Sequence, residues 1–172
     1  TVSADSLPIM SSEWGYTSLD YNRNSVLDKQ AKFAIRSMLM DIALGHPVSV
    51  WYELWRPKPN ELSYTLFNGD KTPKPVSNAL QTLTSTLDGF TYIGQVAEFR
   101  EGNWALAFES EEETALVLWT TNDQYTLNVP AASDCGQLID LYGKGIRYCW
   151  YGEKIKVKLT DEPQYLVFPR RE

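Results

Sequence analysis

A single carboxylate and a run of aromatic residues stand out as groups that could do chemistry. Glu13 follows the short apolar stretch that begins at Leu7, and Trp51, Tyr52 and Trp55 follow the stretch that begins at Val48. Carboxylates act as nucleophiles or as general acids and bases, and aromatic rings stack on the flat C–H face of a sugar ring. The rings suit either core packing or sugar stacking, and core packing is the preferred interpretation for most aromatic positions of the sequence.

The elements that must position these residues alternate between strand and helix before residue 90. Residues 7–13 and 48–55 read as buried strands, and residues 25–44 and 75–87 read as helices. A helical crossover connects parallel strands, so this order predicts two βα units of a parallel sheet. Functional groups collect at the carboxyl ends of such strands, which is where Glu13 and the aromatic residues lie.

The second half of the sequence predicts a different architecture. From residue 91 onward, about eight short strand patterns are separated by turn signals such as Asn122-Asp123 and Gly143-Lys144-Gly145. Residues 154–159 alternate between Lys and an apolar residue. This spacing is typical of an antiparallel β-sandwich. The predicted fold class is thus α/β plus all-β, with domains at residues 1–90 and 91–172.

Composition excludes several classes of function. The 172 residues carry 22 acidic and 16 basic side chains and a net charge of −6, which argues against binding nucleic acid or an anionic membrane. No apolar run approaches the roughly 20 residues of a transmembrane helix. One His and two Cys are too few for a typical metal site, so no metal and no cofactor are expected. Because the chain starts at Thr1 without a signal peptide, we expect a mature or trimmed chain.

The two cysteines do not predict a disulfide bond. A tight turn at 143–145 would place Cys149 opposite about Ile139, so the expected hairpin register does not bring Cys149 to Cys135. His46, between Gly45 and Pro47, is interpreted as a residue of the helix C-terminus rather than as a catalyst.

Three segments together resemble a known family. Residues 11–16 (Ser-Ser-Glu-Trp-Gly-Tyr), 43–47 (Ala-Leu-Gly-His-Pro) and 50–55 (Val-Trp-Tyr-Glu-Leu-Trp) look like the seventh and eighth βα units of a retaining glycoside hydrolase of the (β/α)8 clan A type. Lys74-Pro75 resembles the segment that leads such barrels into their last helix. The strands after residue 91 look like the β-sandwich appended to several of these families.

The resemblance implies roles for individual residues. Glu13 would be the nucleophile, with Tyr16 or Tyr52 as hydrogen-bond donors to it, and Trp51 would form the floor of the sugar subsite at the cleavage point. Glu53 would bind sugar hydroxyls or pair with Arg56, and Trp55 would be a subsite wall or a loop anchor. The implied substrate is an oligo- or polysaccharide.

The same resemblance implies a missing half of the catalytic pair. The family acid/base Glu follows an Asn on the fourth strand, and Asn60-Glu61 lies instead in the Pro-rich loop, so we reject it as the acid. A complete barrel needs about 250 residues. We therefore expect an N-terminal barrel fragment of the same enzyme, as a second chain, to cover residues 1–90 and to supply the acid.

Other interpretations stay open at this point. The chain could be a non-catalytic carbohydrate-binding or structural β-sandwich with a barrel remnant, in which Trp104, Trp119 or Trp150 stack on sugars. It could also be a barrel remnant used for protein interaction. Polysaccharide substrates favour an extracellular or periplasmic location.

Overall fold

Two compact units divide the chain, Thr1–Leu80 and Gln81–Glu172. The structure is a computed structural model that describes residues 8–20, 22, 25–57, 63–96, 101–130, 135–152 and 154–170. The boundary between the units falls inside the second helix. The division into a barrel part and a sandwich part near residue 90 stays a prediction.

The first unit contains a parallel pair of strands joined through a helix. β1 (Ser11–Trp14) and β2 (Ser49–Trp51) lie side by side in parallel, and α1 (Leu27–Ala43) connects them. The core-facing residues of α1 are Gln30, Ala31, Ala34, Ile35 and Leu39. Ile42, near the carboxyl end of α1, is exposed, so the buried face of the helix ends at Leu39.

The ends of these elements differ slightly from those predicted. Ser25 does not cap α1, because the N-cap residue is Val26 and makes no side-chain cap hydrogen bond. β2 ends at Trp51, before the predicted end at residue 55. The backbone carbonyl of Glu53 instead accepts a hydrogen bond from the Leu66 N–H, so this segment belongs to the following loop. The peptide bond between Tyr52 and Glu53 is cis.

The second unit starts within α2 (Pro75–Thr86) and is otherwise formed by antiparallel strands. One six-stranded sheet has the order β3-β4-β5-β10-β7-β8, and β6 pairs with β9 in a second sheet. The strands are β3 (Thr91–Gln95), β4 (Asn103–Glu109), β5 (Glu113–Thr120), β6 (Tyr125–Pro130), β7 (Cys135–Ile139), β8 (Gly145–Cys149), β9 (Lys154–Leu159) and β10 (Gln164–Pro169). Each of the eight strands predicted after residue 91 has its counterpart here.

Apolar side chains from both sheets of the second unit form one core. The lysines of β9 are exposed, whereas Ile155, Val157 and Leu159 are buried, as their alternation predicts. They pack with Leu118 of β5 and Phe168 of β10. Two sheets that share their apolar faces in this way account for the period-2 pattern of β9.

A disulfide bond joins Cys135 to Cys149, so the sequence-based register was wrong. The hairpin turn spans residues 140–144, with Asp140 Oδ1 accepting hydrogen bonds from the backbone N–H groups of Tyr142 and Lys144. Ile139 consequently pairs with Gly145, and Cys135 lies directly opposite Cys149. The error arose because the Gly-rich sequence suggested a turn centred two residues too late.

Candidate functional site

The carboxyl ends of β1 and β2 meet at one edge of the parallel pair. Trp14 pairs with Trp51, and the Tyr52 N–H donates a 2.7 Å hydrogen bond to the Trp14 carbonyl. Gly15 makes this approach possible, because a Cβ there would collide with the carbonyl oxygen of Tyr52. The structure thus brings Glu13 and the Trp51–Glu53 segment to the same edge.

Glu13 projects from this edge into solvent. Its side chain is exposed and makes no hydrogen bond or ion pair with another described residue. The side chains of Tyr16 and Tyr52, the expected donors, contact other residues. The Tyr16 ring stacks on Phe33 at 4.6 Å, and the Tyr52 hydroxyl accepts a 2.6 Å hydrogen bond from Arg56. No contact joins either tyrosine to the Glu13 carboxylate among the described residues.

Trp51 is held in a defined orientation. Its ring meets Trp14 edge to face, with the ring centroids 4.9 Å apart and the planes at 80°. Its indole N–H donates a 2.9 Å hydrogen bond to the Tyr64 carbonyl. The Tyr64 ring in turn lies 6.1 Å from that of Tyr52. The half-buried Trp51 ring is therefore fixed by β1 on one side and by the loop after β2 on the other.

Glu53 pairs with Arg56, which was one of the two roles that the sequence left open. Arg56 donates to Glu53 Oε2 from Nη2 at 3.0 Å and from Nε at 3.3 Å. This hydrogen bonding, with the attraction between the opposite charges, raises the pKa of the Arg56 guanidinium above its ordinary value. A carboxylate with two oxygens keeps acceptor capacity beyond this pair.

Trp55 has the contacts of a loop anchor. Its indole N–H donates a 3.0 Å hydrogen bond to the Asn68 carbonyl, and the Lys71 ammonium lies 5.2 Å from its ring centroid. Hydrogen bonds from Thr72 lower the pKa of Asp70 in the same loop. The contacts of Trp55 with Asn68 and Lys71 join the start of this loop to its later part.

Two polar networks of the first unit escaped the sequence-based prediction. In one, the Trp14 indole donates to Ser49 Oγ at 2.7 Å, and Ser49 donates to Asp41, which also contacts His46 Nδ1 at 2.9 Å. His46 thus lies just after α1, as interpreted, and belongs to this network. The second network surrounds the ammonium of Lys74. In the sequence, this residue stood out only as part of the Lys74-Pro75 pair.

The tryptophans proposed as sugar platforms of the second unit are largely buried. Trp119 is 1% exposed and Trp150 is 6% exposed, while Trp104 is half-buried and stacks on Trp119 at 5.6 Å. A sugar-stacking residue needs an open ring face, so Trp119 and Trp150 are core residues. Of the three tryptophans in the carbohydrate-binding β-sandwich interpretation, only Trp104 lies outside the core.

Some predictions concern groups that the structure does not place. Asn60-Glu61 lies outside the described residues.

Within the described ranges, no three His, Cys, Asp or Glu side chains come together as metal ligands would. Neither α1 nor α2, the two helices of the described part, has the length and apolar character that crossing a bilayer requires.

The fold is shared with glycoside hydrolases. No family model and no curated protein sequence matches the chain. Among solved structures, a family 39 glycoside hydrolase from the gut symbiont Bacteroides cellulosilyticus WH2 is similar over 96% of this chain, with 25% identity and a TM-score of 0.76. A GH30 endoxylanase from Clostridium papyrosolvens C71 is similar over 92%, with 9% identity and a TM-score of 0.69.

An Anoxybacillus alpha-amylase described as a new glycosyl hydrolase subclass is similar over 94% of the chain, with 11% identity and a TM-score of 0.51. The chain spans 35% of the family 39 protein, 41% of the endoxylanase and 37% of the amylase. Its structural neighbours are therefore glycoside hydrolases, and it corresponds to well under half of each of them.

Proposed function

We propose that this chain is part of a retaining glycoside hydrolase of the clan A type. In this proposal β1 and β2 are the seventh and eighth strands of a (β/α)8 barrel, and the second unit is the appended β-sandwich. The observation that carries the proposal is the position of Glu13, exposed at the carboxyl end of β1 and at the same edge as Trp51, the last residue of β2, and Tyr52, which follows it. The likeness to the family 39 glycoside hydrolase supports it.

Glu13 would act as the nucleophile. Its ionised carboxylate attacks the anomeric carbon of the bound sugar, a carbon–oxygen bond to Glu13 forms, and the glycosidic bond breaks. A second carboxyl group, about 5 Å from the first in retaining enzymes, protonates the departing oxygen and then activates the water that releases the sugar. This second group would come from outside the 172 residues.

The aromatic and polar side chains around Glu13 would bind the oligo- or polysaccharide substrate. Trp51 presents a fixed ring as the floor of the subsite, and the exposed Tyr52 ring lies next to it along the chain. Glu53 would accept hydrogen bonds from sugar hydroxyls while it stays paired with Arg56. Tyr16 and Trp55 would border the site. We place the enzyme outside the cytoplasm, where polysaccharides occur.

The rest of the barrel would be supplied by an N-terminal fragment of the same enzyme, as a second chain. Among the described residues, β1 and β2 pair as strands only with each other, so each leaves one strand edge unpaired. Exposed apolar residues lie along or just before these strands, at Ile9, Met10, Val48 and Val50. Neighbouring barrel strands would pair with these edges and cover these side chains.

The nucleophile assignment is tested by trapping the covalent intermediate. A 2-deoxy-2-fluoro glycoside with a good leaving group slows release of the sugar, so the enzyme, assembled with its N-terminal part, should accumulate a glycosyl ester. Peptide mass spectrometry should locate the added mass on Glu13. Product analysis by NMR should show retained anomeric configuration, and an inverted product would exclude the mechanism.

Glu13→Gln should lower kcat by several orders of magnitude, because an amide is not an effective nucleophile. Glu111→Gln provides a matched control, since Glu111 is exposed in a turn of the second unit. Turnover by Glu13→Gln equal to that of the control would mean that Glu13 is not the nucleophile. Circular dichroism should show that both variants fold like the wild type.

A further inference from the structure

Lys74 is buried in the first unit with its charge surrounded by hydroxyl groups. Its residue is 4% exposed. The ammonium donates to Ser63 Oγ and Thr65 Oγ1 at 2.7 Å each, and to Ser18 Oγ at 3.3 Å. An ammonium has three N–H donors, so these acceptors use all of them. Each hydroxyl is neutral, and the attraction of the Glu53 carboxylate partly opposes the effect of desolvation on the Lys74 pKa.

The three hydroxyls belong to two different loops. Ser18 lies in the connection between β1 and α1, whereas Ser63 and Thr65 lie in the connection between β2 and α2. The loops also contact each other directly, because both the N–H and the hydroxyl of Ser18 donate to the Ser63 carbonyl. Lys74 therefore joins, through one atom, the two segments that follow the strands carrying Glu13 and Trp51.

The hydrogen bonds of Lys74 are linked to Trp51 through the loop after β2. Ser63 and Thr65 flank Tyr64, whose carbonyl accepts the hydrogen bond of the Trp51 indole. On the other side, Gln30 Nε2 donates to the Tyr16 carbonyl at 2.8 Å and to the Ser63 carbonyl at 3.4 Å. The loop after β1 and the loop after β2 are thus fixed to the same buried polar group.

An apolar side chain could fill the space of Lys74 without the cost of burying a charge. That cost is large for an ion in a protein interior before its partners offset it. The ammonium also fixes local geometry, because its three directional hydrogen bonds set the positions of three oxygen atoms from two loops. The burial also lowers the pKa of Lys74, which is the sign expected when a cation is withdrawn from water.

We propose that Lys74 is a positioning residue of the glycosidase site, which holds the loops after β1 and β2 in register so that Trp51 and Glu13 face the same sugar. This inference rests on the proposed function. Lys74 does not contact the substrate in this proposal. It acts through Ser63, Thr65 and Tyr64.

Lys74→Met, which keeps the length but removes charge and donors, tests the proposal in the enzyme assembled with its N-terminal part. We expect kcat/KM for an aryl glycoside to fall roughly 10- to 100-fold, the size of loss that a misplacement of about 1 Å causes. Lys154→Met, at an exposed position of β9, should change kcat/KM less than twofold. Lys74→Met with near wild-type kcat/KM would overturn the proposal.

A double-mutant cycle separates positioning from general stability. If Lys74 acts through Trp51, the losses in Lys74→Met and Trp51→Phe should not multiply, and the double variant should be little worse than the poorer single variant. Multiplying losses would assign Lys74 a structural role only. If Lys74→Met does not fold, Thr65→Val takes its place, since it removes one acceptor at constant shape and should give a smaller loss with the same coupling.

A readout without activity distinguishes this inference from the proposed function. In the 172-residue chain labelled with ¹⁵N-tryptophan, the indole signal that disappears in Trp51→Phe belongs to Trp51. Lys74→Met, or Thr65→Val in its place, should shift this signal and speed its exchange with water, while the signal of buried Trp119 stays unchanged. An unchanged Trp51 signal would refute the positioning role even if the enzyme proves to be a glycosidase.

Discussion

Charged and polar side chains in this protein differ sharply in how they are solvated. Glu13 is exposed at a strand end, whereas Lys74 is enclosed by hydroxyl groups. Tyr165 of β10 is a third case, because it is fully buried and its hydroxyl has no hydrogen-bond partner among the described residues. Burial raises the pKa of this phenol above its ordinary value of 10.0.

The buried phenol of Tyr165 predicts a pH-dependent stability. Above pH 10.0, the unfolded chain ionises Tyr165 while the folded chain keeps it protonated. The folded state then binds more protons, so this group's contribution to stability is lost as the pH rises, by up to about 1.4 kcal/mol per pH unit. Tyr165→Phe should remove this component and leave stability at pH 7 equal or higher, because the lost hydroxyl has no partner.

Urea unfolding of the wild type and Tyr165→Phe between pH 7 and pH 11 measures this difference. Tyr151→Phe is the matched control, since Tyr151 is fully exposed and should show the pH dependence of the wild type. Parallel curves for the wild type and Tyr165→Phe above pH 10 would contradict the prediction.

At the scale of elements, turns determine which residues of neighbouring strands lie opposite each other. The 140–144 turn sets the register that brings Cys135 to Cys149. β8, which the disulfide links to β7, is an edge strand of the six-stranded sheet with mostly exposed residues. Since an edge strand has only one hydrogen-bonded neighbour, the disulfide is the second restraint that holds β8 in place.

Removing this disulfide should destabilise the second unit. The bond closes a loop with a sequence separation of 14 residues, for which restriction of the unfolded chain contributes about 3 kcal/mol. The double variant Cys135→Ala/Cys149→Ala should lose about 2–3 kcal/mol in the free energy of unfolding. Urea unfolding followed through Trp150, which lies in the core of this unit, measures the loss. A midpoint equal to that of the oxidised wild type would show that β8 is held by its hydrogen bonds alone.

At the scale of the whole molecule, the two units differ in how completely they bury apolar surface. The strands of the second unit bury a core between two sheets. The first unit has only two strands among its described residues, and exposed apolar side chains lie beside them. Exposed apolar residues beside an unpaired strand edge are typical of a protein interface.

We therefore expect the chain alone to bind a hydrophobic dye and to self-associate, and to lose both properties when the N-terminal barrel part is present. Sedimentation velocity and 1-anilinonaphthalene-8-sulfonate fluorescence measure these properties. Val50→Lys should weaken association of the chain alone, because it places a charge on the exposed side of β2, whereas Thr126→Lys on the exposed side of β6 should not. A monomeric chain without dye binding would contradict the proposed barrel partner.

The candidate site was predictable where it depends on local order along the chain. The alternation of strand and helix placed Glu13 and Trp51 at the ends of parallel strands, and the structure has them at the same edge. The contacts of these side chains were not predictable. Tyr16 stacks on Phe33 and Tyr52 accepts a hydrogen bond from Arg56, and among the described residues neither contacts Glu13. Which neighbour each side chain meets depends on how the chain folds around it.

Local pattern thus determined the elements of this protein, since period 2 and period 3.6 are properties of a few consecutive residues. Only the tertiary structure decided the disulfide register, the burial of Trp119 and Trp150, and the enclosure of Lys74. The register of a hairpin depends on the length of its turn, because one turn residue more or less shifts the whole strand. Burial depends on which distant segments meet, and Lys74 is enclosed because hydroxyl groups from two loops surround it.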